Sequence, residues 1–284
     1  MFLVTGATGT VGRPLIDLLA AAGAEVRAVT RDPLAAGLPA HVEVVGGDPA
    51  RPDTIAAALR GVTGLFVNPR AVGTAIGELL ALAGERGVTR VVALSATNVD
   101  DDLAGQPSRY NGDRNKEVED AVTGSGLEWV SLRSTFFAVN AIGTWAAQIR
   151  AGDLVRGPYA ASAWAPIHER DLAGVGAHAL LTDDLLGQRP VLTGPQSLTL
   201  ADMVATIGDV LDRRLRYQEI PPEAAARGMV ERGFSAPFVA ALLAVQAAAV
   251  GQPAVTSGEV EKVLGRPART FAEWAADHAA DFRN

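Results

Sequence analysis

The chain contains no cysteine among its 284 residues, which excludes disulfides, thiolate-ligated metals and cysteine nucleophiles together. It has no excess of basic charge: 25 Lys and Arg stand against 32 Asp and Glu, a formal net charge of −7. The basic residues are scattered, so neither nucleic acid nor an anionic membrane surface is an expected partner. No apolar run reaches membrane-spanning length; the longest, 236–250, is too short and carries Gln246. Metal-ligand spacing is absent, as is a Gly-x-Ser-x-Gly nucleophile turn, so metallohydrolase and serine hydrolase readings fail. A first strand starting at Met1 or Phe2 leaves no room for a targeting peptide, making the cytoplasm the expected address.

An apolar fraction of 48% supports a sizeable core, and the chain opens on its most informative stretch. Phe2-Leu3-Val4-Thr5 is an apolar run that stops at Gly6; Gly9 and Gly12 follow at three-residue spacing, and Leu15, Ile16, Leu18 and Leu19 then repeat with helical period. A buried strand, a tight turn and a helix start in that order make a phosphate cradle. Gly6 lets the chain turn, Gly9 lets the backbone approach a pyrophosphate, and Gly12 lets helix and strand pack closely. The N–H groups around Thr8, Thr10 and Val11 would then face the anion. The bland alternative is a glycine-rich turn with no ligand.

Further apolar runs predict strands over 25–30, 42–45, 64–68, 90–95 and 127–133, with helices over 53–60, 73–86 and 111–124 between them. Strands this apolar, alternating with helices, predict an α/β fold: a doubly wound parallel sheet of Rossmann type over 1–134. The remainder, 135–284, predicts a smaller, interleaved C-terminal α+β lobe that binds substrate. It carries helices over 138–150, 169–182 and 200–212, a strand over 215–220, and strands over 164–168 and 190–193 that could rejoin the sheet. The apolar helix 236–250 reads as core packing of this lobe, a pocket cap or a homodimer contact.

Ligands of such sheets sit beyond the carboxyl ends of the strands, which gathers Gly6, Thr30-Arg31, Asn68 and Ser95 at one crevice. About 20 residues past the glycines, where a carboxylate would hold the ribose of NAD(H), the chain reads Thr30-Arg31-Asp32-Pro33. Arg31 suits a 2′-phosphate, so NADP(H) is favoured, with NAD(H) open because Asp32 could hold ribose or simply start the turn. Asp48 is placed either to meet the adenine edge or to cap the next helix.

The glycine pattern, Thr30-Arg31-Asp32-Pro33, the run from Arg114 to Glu119, Ser125-Gly126-Leu127 leading to Leu132-Arg133, Phe136-Phe137-Ala138-Val139-Asn140 and the run from Ala165 to Asp171 together resemble the NmrA-like atypical short-chain dehydrogenase/reductases over nearly the whole chain. The resemblance implies a Rossmann domain with a small substrate lobe, binding of NADP(H) or NAD(H), and either a reductase or a catalytically silent redox sensor with a protein partner. It implies that Gly6, Gly9, Gly12 and Arg31 hold the phosphates, that Asn68 and Ser95 lie beside the nicotinamide half, and that Phe136 and Phe137 line the pocket over it. Asp171 reads as a structural cap.

One departure bears on mechanism. The Tyr-x-x-x-Lys pair of ordinary short-chain dehydrogenases, in which lysine lowers the pKa of the proton-giving tyrosine, is missing. Tyr110 and Lys116 are six apart and cannot share a helix face at i, i+4. Asn111 and Asn115 stand where tyrosine and lysine would be; Asn115 can bond a ribose hydroxyl, but neither gives a proton. Tyr159, His168 and Lys116 remain as candidate proton sources, His168 with a structural alternative. The expected activity is hydride transfer from NADPH to a small, largely apolar quinone- or enone-like acceptor, which can take its proton from water. A sensor, or a non-redox isomerase or lyase on the same scaffold, is the alternative.

Overall fold

A computed structural model describes residues 1–283. The apolar runs form short strands: β1 (Phe2–Val4), β2 (Val26–Thr30), β3 (Glu43–Gly46), β4 (Gly64–Val67), β5 (Arg90–Ala96), β6 (Glu128–Ser134), β7 (Leu154–Gly157), β8 (Ala163–Trp164), β9 (Val191–Leu192), β10 (Leu198–Thr199) and β11 (Arg216–Glu219). The helices are α1 (Gly12–Ala21), α2 (Pro69–Val72), α3 (Ile76–Glu85), α4 (Asn115–Thr123), α5 (Asn140–Ala151), α6 (Glu169–Leu181), α7 (Leu200–Val210), α8 (Pro222–Glu231), α9 (Ala236–Ala248), α10 (Glu259–Leu264) and α11 (Phe271–Asp277). They fall into two compact units. The first comprises Met1–Asp100, Gly112–Ser134 and Glu169–Val191; the second comprises Asp101–Asn111, Thr135–His168 and the chain from Leu192 onward.

The main sheet has the strand order β3-β2-β1-β4-β5-β6-β9. Every pairing from β3 through β6 is parallel, as expected for strands buried on both faces. All four residues of β4 are buried. The order reverses between β1 and β4, the switch point beyond whose strand ends a crevice forms. One side of the sheet is filled by Leu3, Leu65, Leu79, Val91, Val118 and their neighbours in a dry core. On α6, Gly176 comes so close to Phe66 of β4 and Leu15 of α1 that an added Cβ would lie 3.3 and 3.6 Å from them. In the second unit α5, α7 and α11 enclose Trp145, Ile149, Met203, Ile207, Phe271 and Trp274. There β7 pairs with β11 in parallel, and β8 with β10 antiparallel. Among the described residues no helix is long and apolar enough to cross a membrane.

Three expected elements differ. The helix over 53–60 is a 3₁₀ turn at Pro52–Ile55. Its bonds run from Ala56 to Asp53, Ala58 to Ile55 and Arg60 to Ala57, all i→i+3, so no α-turn closes. The helix over 111–124 starts at Asn115, because Gly112 sits at φ +95° and separates it from the 3₁₀ turn Pro107–Asn111. The strand over 164–168 shrinks to Ala163–Trp164 and pairs with Leu198–Thr199 outside the main sheet; Pro166, lacking an N–H, cannot extend a ladder.

A buried ion cluster joins α4 to the sheet. The carboxylate of Glu119, almost wholly enclosed, accepts from Ser95 Oγ at 2.7 Å and Ser131 Oγ at 2.6 Å. It also accepts from Arg133 Nε and Nη2 and from Arg189 Nε at 3.1 Å, while Arg133 further pairs with Asp100 and Arg189 lies over the Trp129 ring. Burial alone would raise the Glu119 pKa; the Arg133 guanidinium and the two serine hydroxyls outweigh it and hold the carboxyl at about 2, from an ordinary 4.5. With the folded value depressed, its stabilisation is complete above about pH 4.5 and is lost as pH falls toward 2. Glu119→Gln, which removes the buried charge that Arg133 and Arg189 share and leaves Arg133 only its outer pair with Asp100, is expected to cost about 3 kcal/mol in urea unfolding at pH 7. The loss should shrink when unfolding is repeated near pH 2; a loss independent of pH would disprove the charge argument.

Candidate cofactor site

The first turn is built by close approach of backbone to backbone. Gly6 adopts φ +63°, and an added Cβ would stand 2.9 Å from both Cβ and Nδ2 of Asn68. At Gly12 a Cβ would lie 2.2 Å from the Gly6 carbonyl oxygen, and at Gly9 3.1 Å from the same atom. Gly9 N–H donates to Gly6 O at 2.9 Å, curling the loop back on itself. Thr5, fully buried, fastens this turn to the neighbouring strand: its hydroxyl donates to Phe66 O at 3.0 Å and accepts from Asn68 N–H at 2.9 Å. The ends of β1 and β4 are thereby held together at the switch point.

Helix α1 begins without a capping side chain. Val11 stands at its N-cap and provides no acceptor, and the N–H groups of Thr10 and Val11 donate to no backbone acceptor among the described residues. An uncapped helix start pointing out of a glycine turn suits an anion. A dinucleotide pyrophosphate therefore fits these residues, with Gly6, Gly9 and Gly12 keeping side chains out of its path.

Past β2, Arg31 is exposed and makes no hydrogen bond or ion pair among the described residues. Asp32 is occupied: its carboxylate accepts from Ala35 N–H at 3.2 Å and its own N–H donates to the Thr30 hydroxyl at 3.3 Å. The turn engages one oxygen of the carboxylate that would hold the ribose of NAD(H) and leaves the guanidinium without a partner. Asp48 is likewise engaged locally, accepting from Ala50 N–H at 3.1 Å and lying 3.5 Å from Arg51. Asn68 borders Gly6 and caps α2, accepting from Arg70 N–H at 3.0 Å. Asn115 is the first residue of α4.

Ser95 does not turn toward the crevice. Its hydroxyl is 3% exposed and donates to Glu119, so the role expected beside the nicotinamide gives way to the buried cluster. Lys116 also corrects: its Nζ lies 2.6 Å from Asp120 Oδ1, one helical turn on, and that hydrogen bond raises the amine's pKa. It is a surface ion pair on α4, held protonated. His168 is 1% exposed, 3.4 Å from Asp277 and 6.5 Å in ring centroids from His278; this is the structural alternative, a histidine buried against α11.

Tyr159, in the second unit, is the candidate with the most unusual geometry. It has φ +50°, a left-handed conformation that costs a non-glycine residue about 1–2 kcal/mol. Both neighbours are braced: Pro158 O accepts from the Tyr217 hydroxyl at 2.7 Å, and Ala160 N–H donates to Glu219 at 3.0 Å. Burial pushes the Tyr217 pKa up, with the Glu219 charge adding to it, so that hydroxyl stays a donor. In the same unit Phe136 and Trp164 form an aromatic pair 5.3 Å apart.

The residues missed by sequence reasoning are Arg13, Glu119 with Arg133, and Tyr217. Arg13 stands directly after the third glycine, and a charged residue in the first helical turn was the available signal. Glu119 and Arg133 were visible as a family pattern, but nothing in their spacing revealed that one helix and one strand bring them together.

The chain matches the NAD(P)H-binding family over residues 6–181. It belongs to that family. Over 285 residues it is 33% identical to the (4-alkanoyl-5-oxo-2,5-dihydrofuran-3-yl)methyl phosphate reductase of Streptomyces griseus, covering 99% of each chain. It is also 33% identical over 290 residues to the NAD(P)H azoreductase of Xenophilus azovorans, again with 99% of each covered. Among solved structures, the NADPH-dependent quinone oxidoreductase of Escherichia coli superposes with a TM-score of 0.81 at 22% identity, covering 98% of this chain and 100% of that one. The Citrobacter sp. triphenylmethane reductase complexed with NADP(H) gives 0.78 at 19% identity, covering 98% and 99%. The expected family, fold and NAD(P)(H) cofactor are borne out, and the class of activity is that of an NAD(P)H-dependent reductase.

Because a methyl at residue 12 has no space, Gly12→Ala is expected to destabilise the fold by about 2–3 kcal/mol and to abolish cofactor binding measured by fluorescence titration. Normal binding by this variant would show that the turn tolerates the displacement.

Proposed function

We propose that this protein is an NADPH-dependent reductase of a small, conjugated, largely apolar acceptor. The observation that carries the cofactor preference is the turn after β2, where Asp32 Oδ1 is bonded to Ala35 N–H and Arg31 is exposed and unpaired. NADPH supplies the hydride. The chain's own residues hold the cofactor: the Thr10 and Val11 N–H groups take the pyrophosphate, Arg31 the 2′-phosphate, and Asn115 a ribose hydroxyl.

The acceptor class follows from what replaces the usual proton-giving pair. Asn111 and Asn115 have no proton to give, and Lys116 and His168 are engaged elsewhere. An acceptor that spreads charge after hydride arrives depends less on a fixed acid than a saturated ketone does, because water can complete its protonation. The names of both full-length relatives describe such acceptors, one a ring whose double bond is flanked by carbonyl groups, the other an azo group. Phe136 and Trp164 offer flat apolar walls for a molecule of this kind, and Tyr159, held in its left-handed turn, is the remaining hydroxyl that can orient or protonate it.

NADPH oxidation against quinones, enones, azo compounds, aldehydes and saturated ketones, with NADH alongside, tests this reading. Turnover is expected with the conjugated classes and not with saturated ketones, and faster with NADPH. Tight NADPH binding without turnover on any acceptor would instead support the sensor. Tyr159→Phe is expected to lower kcat on the best enone by roughly tenfold or more while leaving Tm unchanged; an unaltered kcat would remove Tyr159 from the reaction.

A further inference from the structure

Arg13 is fixed in place by three backbone carbonyls. Its Nε donates to Thr8 O at 3.1 Å, Nη1 to Gly37 O at 2.9 Å and Nη2 to Ala36 O at 2.8 Å. Every one of these acceptors is neutral, and no carboxylate pairs with this guanidinium among the described residues. Thr8 belongs to the loop after β1, and Ala36 and Gly37 to the loop after β2. In a sheet of this order, the ribose nearest the adenine lies between those two loops.

Arg31, on the same second loop, is also without an ion pair, and the nearby carboxylate of Asp32 is turned to the Ala35 N–H. A guanidinium has five N–H donors; with three committed to the backbone, Arg13 keeps two, and its orientation is set before any ligand arrives. A fixed, unneutralised cation with spare donors suits a phosphate dianion. Bracing the two loops uses three of its donors and leaves its charge without a counter-ion.

We infer that Arg13 is a second residue selecting the 2′-phosphate of the cofactor: clamped between the loops after β1 and β2, it contributes its charge and remaining donors to the phosphate that Arg31 also holds. The inference rests on the NADPH reading above. It makes the selectivity of this site a property of two arginines, one preset by the backbone and one free to close.

Calorimetric binding of NADP⁺, NAD⁺, 2′,5′-ADP and 5′-AMP to the full chain tests it without requiring turnover. Arg13→Gln is expected to weaken NADP⁺ and 2′,5′-ADP by roughly tenfold or more and NAD⁺ by less than about threefold. Equal losses for NADP⁺ and NAD⁺ would make Arg13 a loop brace, and no loss would remove it from the site; either overturns the inference. A second arm does not depend on the folding of an Arg13 variant: exposed Arg31→Gln should still prefer 2′,5′-ADP over 5′-AMP, and loss of that preference in this variant alone would overturn the inference while leaving the NADPH reading intact. If the wild type itself binds NADP⁺ no better than NAD⁺, the NADPH reading fails, and the role of Arg13 with it.

Discussion

Everything in the first unit that can meet a cofactor depends on the absence of a side chain at Gly12. The Gly6 carbonyl occupies the position a Cβ would take, 2.2 Å away, so α1 starts directly on the turn that ends β1. That contact sets where the uncapped N–H groups of the helix point. It also places Arg13, the next residue, within reach of Thr8, Ala36 and Gly37. Thr5 completes the arrangement by bonding to Phe66 and Asn68, which fixes β1 against β4 where the strand order reverses. A few backbone contacts thus determine where the turn after β1 ends, where the uncapped N–H groups of α1 point and how the loops after β1 and β2 are tied together.

The two units carry their strain in different ways. In the first, charge is buried and fully matched: Glu119 is surrounded by Ser95, Ser131, Arg133 and Arg189, a set that specifies how α4 lies on β5 and β6 more than it adds stability. In the second, strain is stored in the backbone at Tyr159 and maintained by Tyr217 and Glu219. The absence of a side chain at Gly157 leaves room for the Tyr217 hydroxyl, which lies 2.1 Å from where a Cβ would be. Strained residues persist where neighbours over-determine them, and they gather where proteins act.

How much of this was legible in the sequence follows from the range of each interaction. The glycine turn, the parallel strands and the arginine after β2 are local patterns with fixed periods, so Gly6, Gly9, Gly12 and Arg31 could be placed by reading along the chain. Pro166 and Gly112 shorten a strand and delay a helix by equally local rules, which override the apolar runs around them. The fate of Ser95 was not legible. It depends on Glu119, 24 residues away, and on which face of β5 meets α4. His168 depends on Asp277 and His278, more than a hundred residues on. Ser95 and Lys116, chosen for chemical type, are engaged by such contacts, whereas the turn at Gly6, Gly9 and Gly12 follows from local backbone rules.

Hydride transfer from NADPH to a conjugated acceptor is tested most directly with NADPH deuterated at the transferable C4 position, incubated with the purified protein and an enone. The expected reduced product carries deuterium at the β-carbon and a proton from water at the α-carbon. Reduced product with no deuterium from the cofactor, or none formed at all while NADPH remains tightly bound, would contradict that transfer.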